Sequence, residues 1–163
     1  MKLAKLSLPF VLSILLIVSI DTAYERFHRI VLGKSSYSTD AIYKIPNTSA
    51  EIVLERRAIH LFLAEYERTL VLRIGKKEII RKEVAADSGG YSRMNLYFIS
   101  PTEYFLRGHI SHDKFFLDIQ KQTLSEAIED KPKEAKFLGA FDRDETGWRF
   151  ISVSEREEQK SKL

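Results

Sequence analysis

Leu6 to Ile20, LSLPFVLSILLIVSI, is fifteen residues without a charge. The run is apolar on every side rather than along one stripe, which does not suit a helix on the surface of a soluble domain. Lys2 and Lys5 precede it and Asp21 ends it. Two readings compete. A secretory signal peptide has a basic start, an apolar stretch of this length and a small-residue cleavage site. A spanning helix needs about 20 apolar residues for about 30 Å of hydrocarbon. At 1.5 Å per residue, fifteen residues reach only about 22 Å, which favours the signal peptide. Counted from Leu3, with Lys5 snorkelling, the span grows to about 27 Å and becomes tolerable with slight thinning of the bilayer.

The absence of a clean cleavage site tips the balance toward an anchor. Small residues on either side of one intervening position are required, and the pairs Ile17/Ser19, Val18/Ile20 and Asp21/Ala23 do not supply them. Helical spacing also continues beyond the run. Tyr24, Phe27, Ile30 and Val31 fall on one side and Glu25, Arg26 and Arg29 on the other, up to a stop at Gly33. Tyr24, Arg26 and Arg29 suit the membrane interface. The spacing therefore predicts a signal-anchor helix over residues 1–33, touching the membrane through Leu6 to Ile20. The alternatives are secretion after signal cleavage and a buried core helix. Positive groups before and after the run nearly tie. A short N-terminal tail ahead of a first apolar run then places the rest outside the cytoplasm, in the periplasm if the source is a Gram-negative bacterium.

The rest of the 163-residue chain is one domain's worth, long enough to bury a core without disulfides or a structural metal. Leaving aside Lys2 and Lys5, 24 cationic side chains face 23 acidic ones, interspersed throughout. A nucleic-acid partner needs a basic excess gathered on one surface, so none is expected. With no cysteine there is no disulfide, thiolate metal site, cysteine nucleophile or lipidated cysteine.

Residues 34–49, KSSYSTDAIYKIPNTS, read as a polar linker or a loosely packed edge segment. Beyond them the expected fold is mainly β, one antiparallel meander over residues 50–154. Strands are predicted at Glu51–Arg57, His60–Tyr66, Thr69–Ile74, Glu78–Ala85, Asn95–Ile99, Glu103–Arg107, Lys114–Ile119, Phe137–Phe141 and Trp148–Val153. Hairpins turn at Gly75-Lys76-Lys77 and Ser100-Pro101-Thr102. Thr123 to Lys136 breaks the rhythm as a solvated excursion, with one helical turn over Ser125–Glu129 limited by Pro132. The charged tail, residues 155–163, is expected to fray. Short connections force antiparallel neighbours, and such a meander closes as a small barrel or packs as a two-layer sandwich.

Three short motifs could carry chemistry. Asp87-Ser88-Gly89-Gly90 resembles, over four residues, the nucleophile segment of trypsin-like serine proteases, where glycines let the backbone supply oxyanion donors. The chain is too short for a double barrel, and His28 and His60 sit in no general-base context, so a glycine-rich turn is the stronger reading. His109, His112 and Asp113 could converge on a metal only through a turn, because strand positions three apart face opposite ways. Asp142 and Asp144 open a stretch like the start of a calcium loop, ending at Gly147. The twelfth position is Val153, where a bidentate Glu is required. Asn47-Thr48-Ser49 is a glycosylation sequon that matters only in a eukaryotic secretory pathway.

Aromatic residues crowd the second half. Phe115 and Phe116 cannot face the same core if they lie in a strand, and the same holds for Tyr97/Phe98 and Tyr104/Phe105. One member of each pair meets a second apolar layer or a partner. The expectation is a two-layer core with cross-strand aromatic pairs; the alternative is a ligand-lined barrel. No catalytic residue and no cofactor is assigned. The expected role is a membrane-anchored, non-catalytic domain that binds or scaffolds a protein partner. The rivals are a small-molecule-binding β-barrel and, less favoured, a metal-dependent hydrolase on His109, His112 and Asp113.

Overall fold

A computed structural model describes residues 39–60, 63–88, 93–109 and 113–161, with side chains as far as residue 158. The expected signal-anchor helix, residues 1–33, lies outside the described residues. Among the described residues no helix is long and apolar enough to cross a membrane.

Ten strands and one helix follow among these residues. They are β1 (Thr39–Lys44), β2 (Ala50–Ala58), β3 (Tyr66–Ile74), β4 (Lys77–Asp87), β5 (Met94–Ser100), β6 (Glu103–Gly108), β7 (Lys114–Asp118), β8 (Thr123–Glu126), β9 (Lys136–Asp144), β10 (Gly147–Ser152) and α1 (Val153–Ser161). They build two antiparallel sheets, one of four strands in the order β1-β2-β3-β4 and one of six in the order β10-β9-β5-β6-β7-β8. The mainly β, antiparallel, two-layer expectation is met, and the closed barrel is not. Each sheet keeps two edges. On one side β1 and β10 approach without a ladder, the Tyr43 and Phe150 rings 4.7 Å apart. On the other, Lys82 Nζ of β4 meets Glu126 Oε1 of β8 at 2.6 Å.

Period-2 alternation explains the core. Ala50, Ile52 and Leu54 of β2 and Leu70 and Leu72 of β3 face Met94, Leu96, Tyr104, Leu106, Phe115, Leu117, Phe141 and Trp148 of the larger sheet in one buried cluster. The pure meander fails at one point. After the edge strand β8 the chain crosses back over β7 and β6 to form β9 between β5 and β10. The inner face is already packed, so residues 127–135 take the outer face. Gly139 permits β9 to pair on both sides: it has φ 151°, and a Cβ there would strike the Ile151 carbonyl of β10.

Several boundaries differ from the sequence reading. Thr39–Lys44, inside the stretch read as a linker or edge segment, is the edge strand β1, paired with β2 from Thr39↔Arg56 to Lys44↔Glu51. Of the expected strand His60–Tyr66, Tyr66 opens β3, His60 and Leu63 to Glu65 are not strand, and Leu61 and Phe62 lie outside the described residues. The helical turn expected over Ser125–Glu129 does not form: Thr123–Glu126 is the strand β8, whose backbone completes the free side of β7. Most of the expected fraying tail is α1. Ser152 N–H donates to Glu155 Oε2 at 2.9 Å and Glu155 N–H donates to Ser152 Oγ at 3.3 Å, a reciprocal capping box.

The registers give the sandwich two distinct ends. At one, the entry end, the chain joins β1 at Thr39, and the β2–β3, β4–β5, β6–β7 and β9–β10 connections gather. At the far end lie the β1–β2, β3–β4, β5–β6 and β7–β8 turns and the start of α1.

Candidate functional site

At the entry end, alternation along β2 and β3 brings Arg56 and Arg68 to positions where the pattern calls for apolar residues, directly opposite each other. Two facing guanidiniums in a core are tolerable only if each finds an anion. Arg68 is 1% exposed and Asp113 is 1% exposed. The Arg68 guanidinium donates to Asp113 Oδ2 and, through Nε at 2.8 Å, to the Ala85 carbonyl. Asp113 Oδ1 accepts the Ala85 N–H at 3.0 Å. This closed ring staples β3 and β4 to the start of β7. Gly108 donates its N–H to the Asp113 carbonyl at 2.7 Å, and a Cβ at Gly108 would collide with the Asp113 side chain.

Arg56 is held differently. Its guanidinium carbon lies 3.4 Å above the Tyr66 ring and 5.0 Å from the Trp148 ring. Its Nη2 is 3.6 Å from Asp87 Oδ2, and its Nε is buried without a hydrogen-bond partner. Burial pulls the Arg56 pKa down from its ordinary value, and Tyr66 and Asp87 oppose that pull. Trp148 Nε1 donates to the Leu54 carbonyl at 3.2 Å, which fixes the ring beside Arg56.

The described residues of the sequence motifs are placed as follows. Asp87 of the DSGG stretch is buried beside Arg56 and Ser88 is exposed; Gly89 and Gly90 lie outside the described residues. Of the metal candidates, His112 lies outside the described residues, His109 is exposed, and both Asp113 oxygens are taken by Arg68 and the Ala85 N–H. Asp142 and Asp144 are likewise engaged. Asp142 Oδ2 accepts Arg156 at 2.6 Å. Asp144 accepts the Thr146 N–H and hydroxyl at 2.8 and 2.7 Å and Arg149 Nε at 2.9 Å. Those bonds, Thr146 foremost, hold the Asp144 carboxyl down to about 2. Among the described residues no group of three or more His, Asp or Glu could hold a metal ion.

The outer face of the larger sheet carries a second feature. Phe137, Tyr97, Phe105 and Phe116 form a row across β9, β5, β6 and β7, with neighbouring centroids 5.4, 6.2 and 5.0 Å apart. This is the second apolar layer expected from the Tyr97/Phe98, Tyr104/Phe105 and Phe115/Phe116 pairs. The 127–135 crossover lies over it: Lys131 Nζ sits 5.5 Å from the Tyr97 ring, and Asp130 meets Lys114 at 2.9 Å. Toward the far end the row opens into a groove of about 340 Å³. Phe116 and Pro132 line it with Glu103, Asp118, Lys121 and the β8 hydroxyls. Glu103 and Asp118 are direct cross-strand partners, so two carboxylates sit side by side on one face. Lys121 Nζ reaches Asp118 Oδ2 at 2.8 Å, and its N–H donates to Oδ1 at 2.9 Å. Those bonds pull the Asp118 pKa down and raise that of Lys121. Glu103 Oε2 accepts the Ser100 hydroxyl at 3.1 Å.

Sequence reasoning passed over these groups. Arg56 and Arg68 had a signal, a charge at an inward strand position. Glu103 and Asp118 had none, because their meeting depends on the β6–β7 register. No protein-family model matches the chain, and neither a curated protein nor a solved structure matches it.

Proposed function

We propose that the chain is a membrane-tethered, extracytoplasmic binding domain that holds a protein partner beside the membrane and catalyses no reaction. The observation that supports it most is the polarity of the fold. The uncharged run Leu6 to Ile20 precedes β1 in the chain, and β1 begins at the entry end, where the buried Arg68–Asp113 pair lies. The groove lies toward the opposite end, with the β5–β6 and β7–β8 turns. A tether at one end leaves the other as the surface a partner meets. The test is site-specific photocrosslinking in intact cells, with the reactive residue at Thr102 of the far end or at Glu145 of the entry end. A discrete protein adduct from Thr102, weakened when residues 1–33 are deleted, is expected. Adducts from Glu145 alone, or none from either, would overturn the reading.

A second reading, a small-molecule binder, is favoured by the groove itself, whose 340 Å³ falls at the lower end of the usual range of ligand sites, about 300–1,000 Å³. It no longer takes the form of a hollow barrel, since the space between the sheets is filled by the core.

A further inference from the structure

We infer that the groove bounded by Phe116, Pro132, Glu103 and Asp118 is a binding site for a pyranose saccharide. The inference rests on the small-molecule reading of this groove and does not depend on the tether.

Its first support is a pair of like charges held side by side on one sheet face. Carboxylates directly opposite each other on one sheet face repel. The chain carries such a pair at Glu103↔Asp118, and only Asp118 is bridged by Lys121. Departures of this kind are expected at functional sites, where the ligand supplies the missing donors. The second support is the composition of the walls. Phe116 on the sheet and Pro132 on the crossover offer flat apolar surfaces. Glu103 and Asp118 offer acceptors, Lys121 offers a donor, and the Thr123 and Ser125 hydroxyls offer both. A pyranose ring has the matching pattern, one apolar C–H face and a rim of hydroxyls that donate and accept. An anion is disfavoured, because two carboxylates face one ammonium. A purely apolar ligand would bury those charges unpaired. The third support is size: a groove of about 340 Å³ holds a small ring compound rather than a folded partner.

Glu103 then serves ligand at the expense of stability, and this separates a binding role from a structural one. The test uses the full-length chain in a zwitterionic detergent, since glucoside and maltoside detergents carry the proposed ligand. Cellobiose and N,N′-diacetylchitobiose are the probes, read by saturation-transfer NMR and by titration. The open-chain polyol mannitol and a Gly-Lys-Gly peptide are the controls. Saturable binding of at least one disaccharide is expected, with mannitol inert. Glu103→Gln and Phe116→Leu should each weaken it about tenfold, the loss of one good contact. Glu103→Gln should at the same time raise the melting temperature, because it relieves the opposed charges. The inference is overturned if neither disaccharide binds saturably, or if both variants bind like the parent chain. It is equally overturned if the peptide binds in place of the sugar.

Discussion

The two outer faces of the sandwich meet the same problem in opposite ways. Each sheet buries one face against the other, and each has apolar residues on its second face that need cover. On the four-stranded sheet those residues are Val53 and Val71, both 0% exposed. Their cover is ionic. Arg73 Nη2 and Arg81 Nη1 each reach the Glu55 carboxylate at 2.8 Å, and Arg57 Nη1 reaches Asp40 Oδ1 at 2.6 Å. The Arg73 and Arg81 guanidiniums gather on Glu55, on the same face of the sheet as the valines. On the six-stranded sheet the corresponding residue is Phe105, also 0% exposed. Tyr97 and Phe116 flank it, and the crossover reaches Tyr97 through Lys131. An ionic lid needs no extra chain and stays wet at its rim. An aromatic layer needs a segment laid over it, and where that segment ends a groove is left.

The contrast can be broken most strongly at Phe105. Phe105→Ala should cost about 3–5 kcal/mol in urea unfolding, the usual loss for a buried aromatic, and the cost should not change with salt. Asp113→Ala belongs to neither face and calibrates both, since it strands the Arg68 guanidinium in the interior. The expected loss is about 3–5 kcal/mol, again insensitive to salt. Glu55→Gln keeps the shape of the ionic lid and removes its central charge. It should cost about 1–3 kcal/mol at low salt, and less as salt rises. Arg81 is 46% exposed, so Arg81→Ala should cost under about 1 kcal/mol. The smallest effect is the acid response of Asp144 in the β9–β10 turn. Its folded value of about 2 lies below the ordinary 3.8, chiefly through Thr146 and then Arg149. Its contribution is therefore complete above pH 3.8 and lost as the pH falls through about 2. Asp144→Asn should flatten that part of an acid-unfolding curve, and a carboxyl titration followed by NMR should show the low value directly.

Which parts were legible in the sequence follows from where the information lies. The hairpins around Gly75 and Pro101 are local, and period-2 alternation over Leu70, Leu72 and Ile74 shows a buried face, so both could be read residue by residue. The doubling of aromatics at Phe115-Phe116 likewise implied a second layer, because adjacent strand residues point to opposite sides. The edge strand β1 was obscured by its polar, Ser/Thr-rich flanks and is held by pairing with β2 rather than by its own pattern. Helix α1 is strongly polar, and its visible signal was the Ser152-to-Glu155 capping spacing. The candidate sites were least legible. Arg68 and Asp113 lie 45 positions apart, and nothing local to either names the other. The Glu103–Asp118 contact exists only in one register of β6 against β7. The metal reading of His109, His112 and Asp113 rested on nearness in sequence, whereas the Asp113 carboxylate is turned inward to an arginine from the other sheet.

The tethered, extracytoplasmic placement is tested most directly by fractionating a Gram-negative host that expresses the full-length chain, then shaving intact cells and spheroplasts with protease. The expected result is a full-length chain in the membrane fraction whose β domain is cut only after the outer barrier is opened. A shortened chain in the soluble periplasmic or secreted fraction would contradict it, making Leu6 to Ile20 a cleaved signal. A full-length chain that stays protected in spheroplasts would contradict it as well, leaving the domain inside.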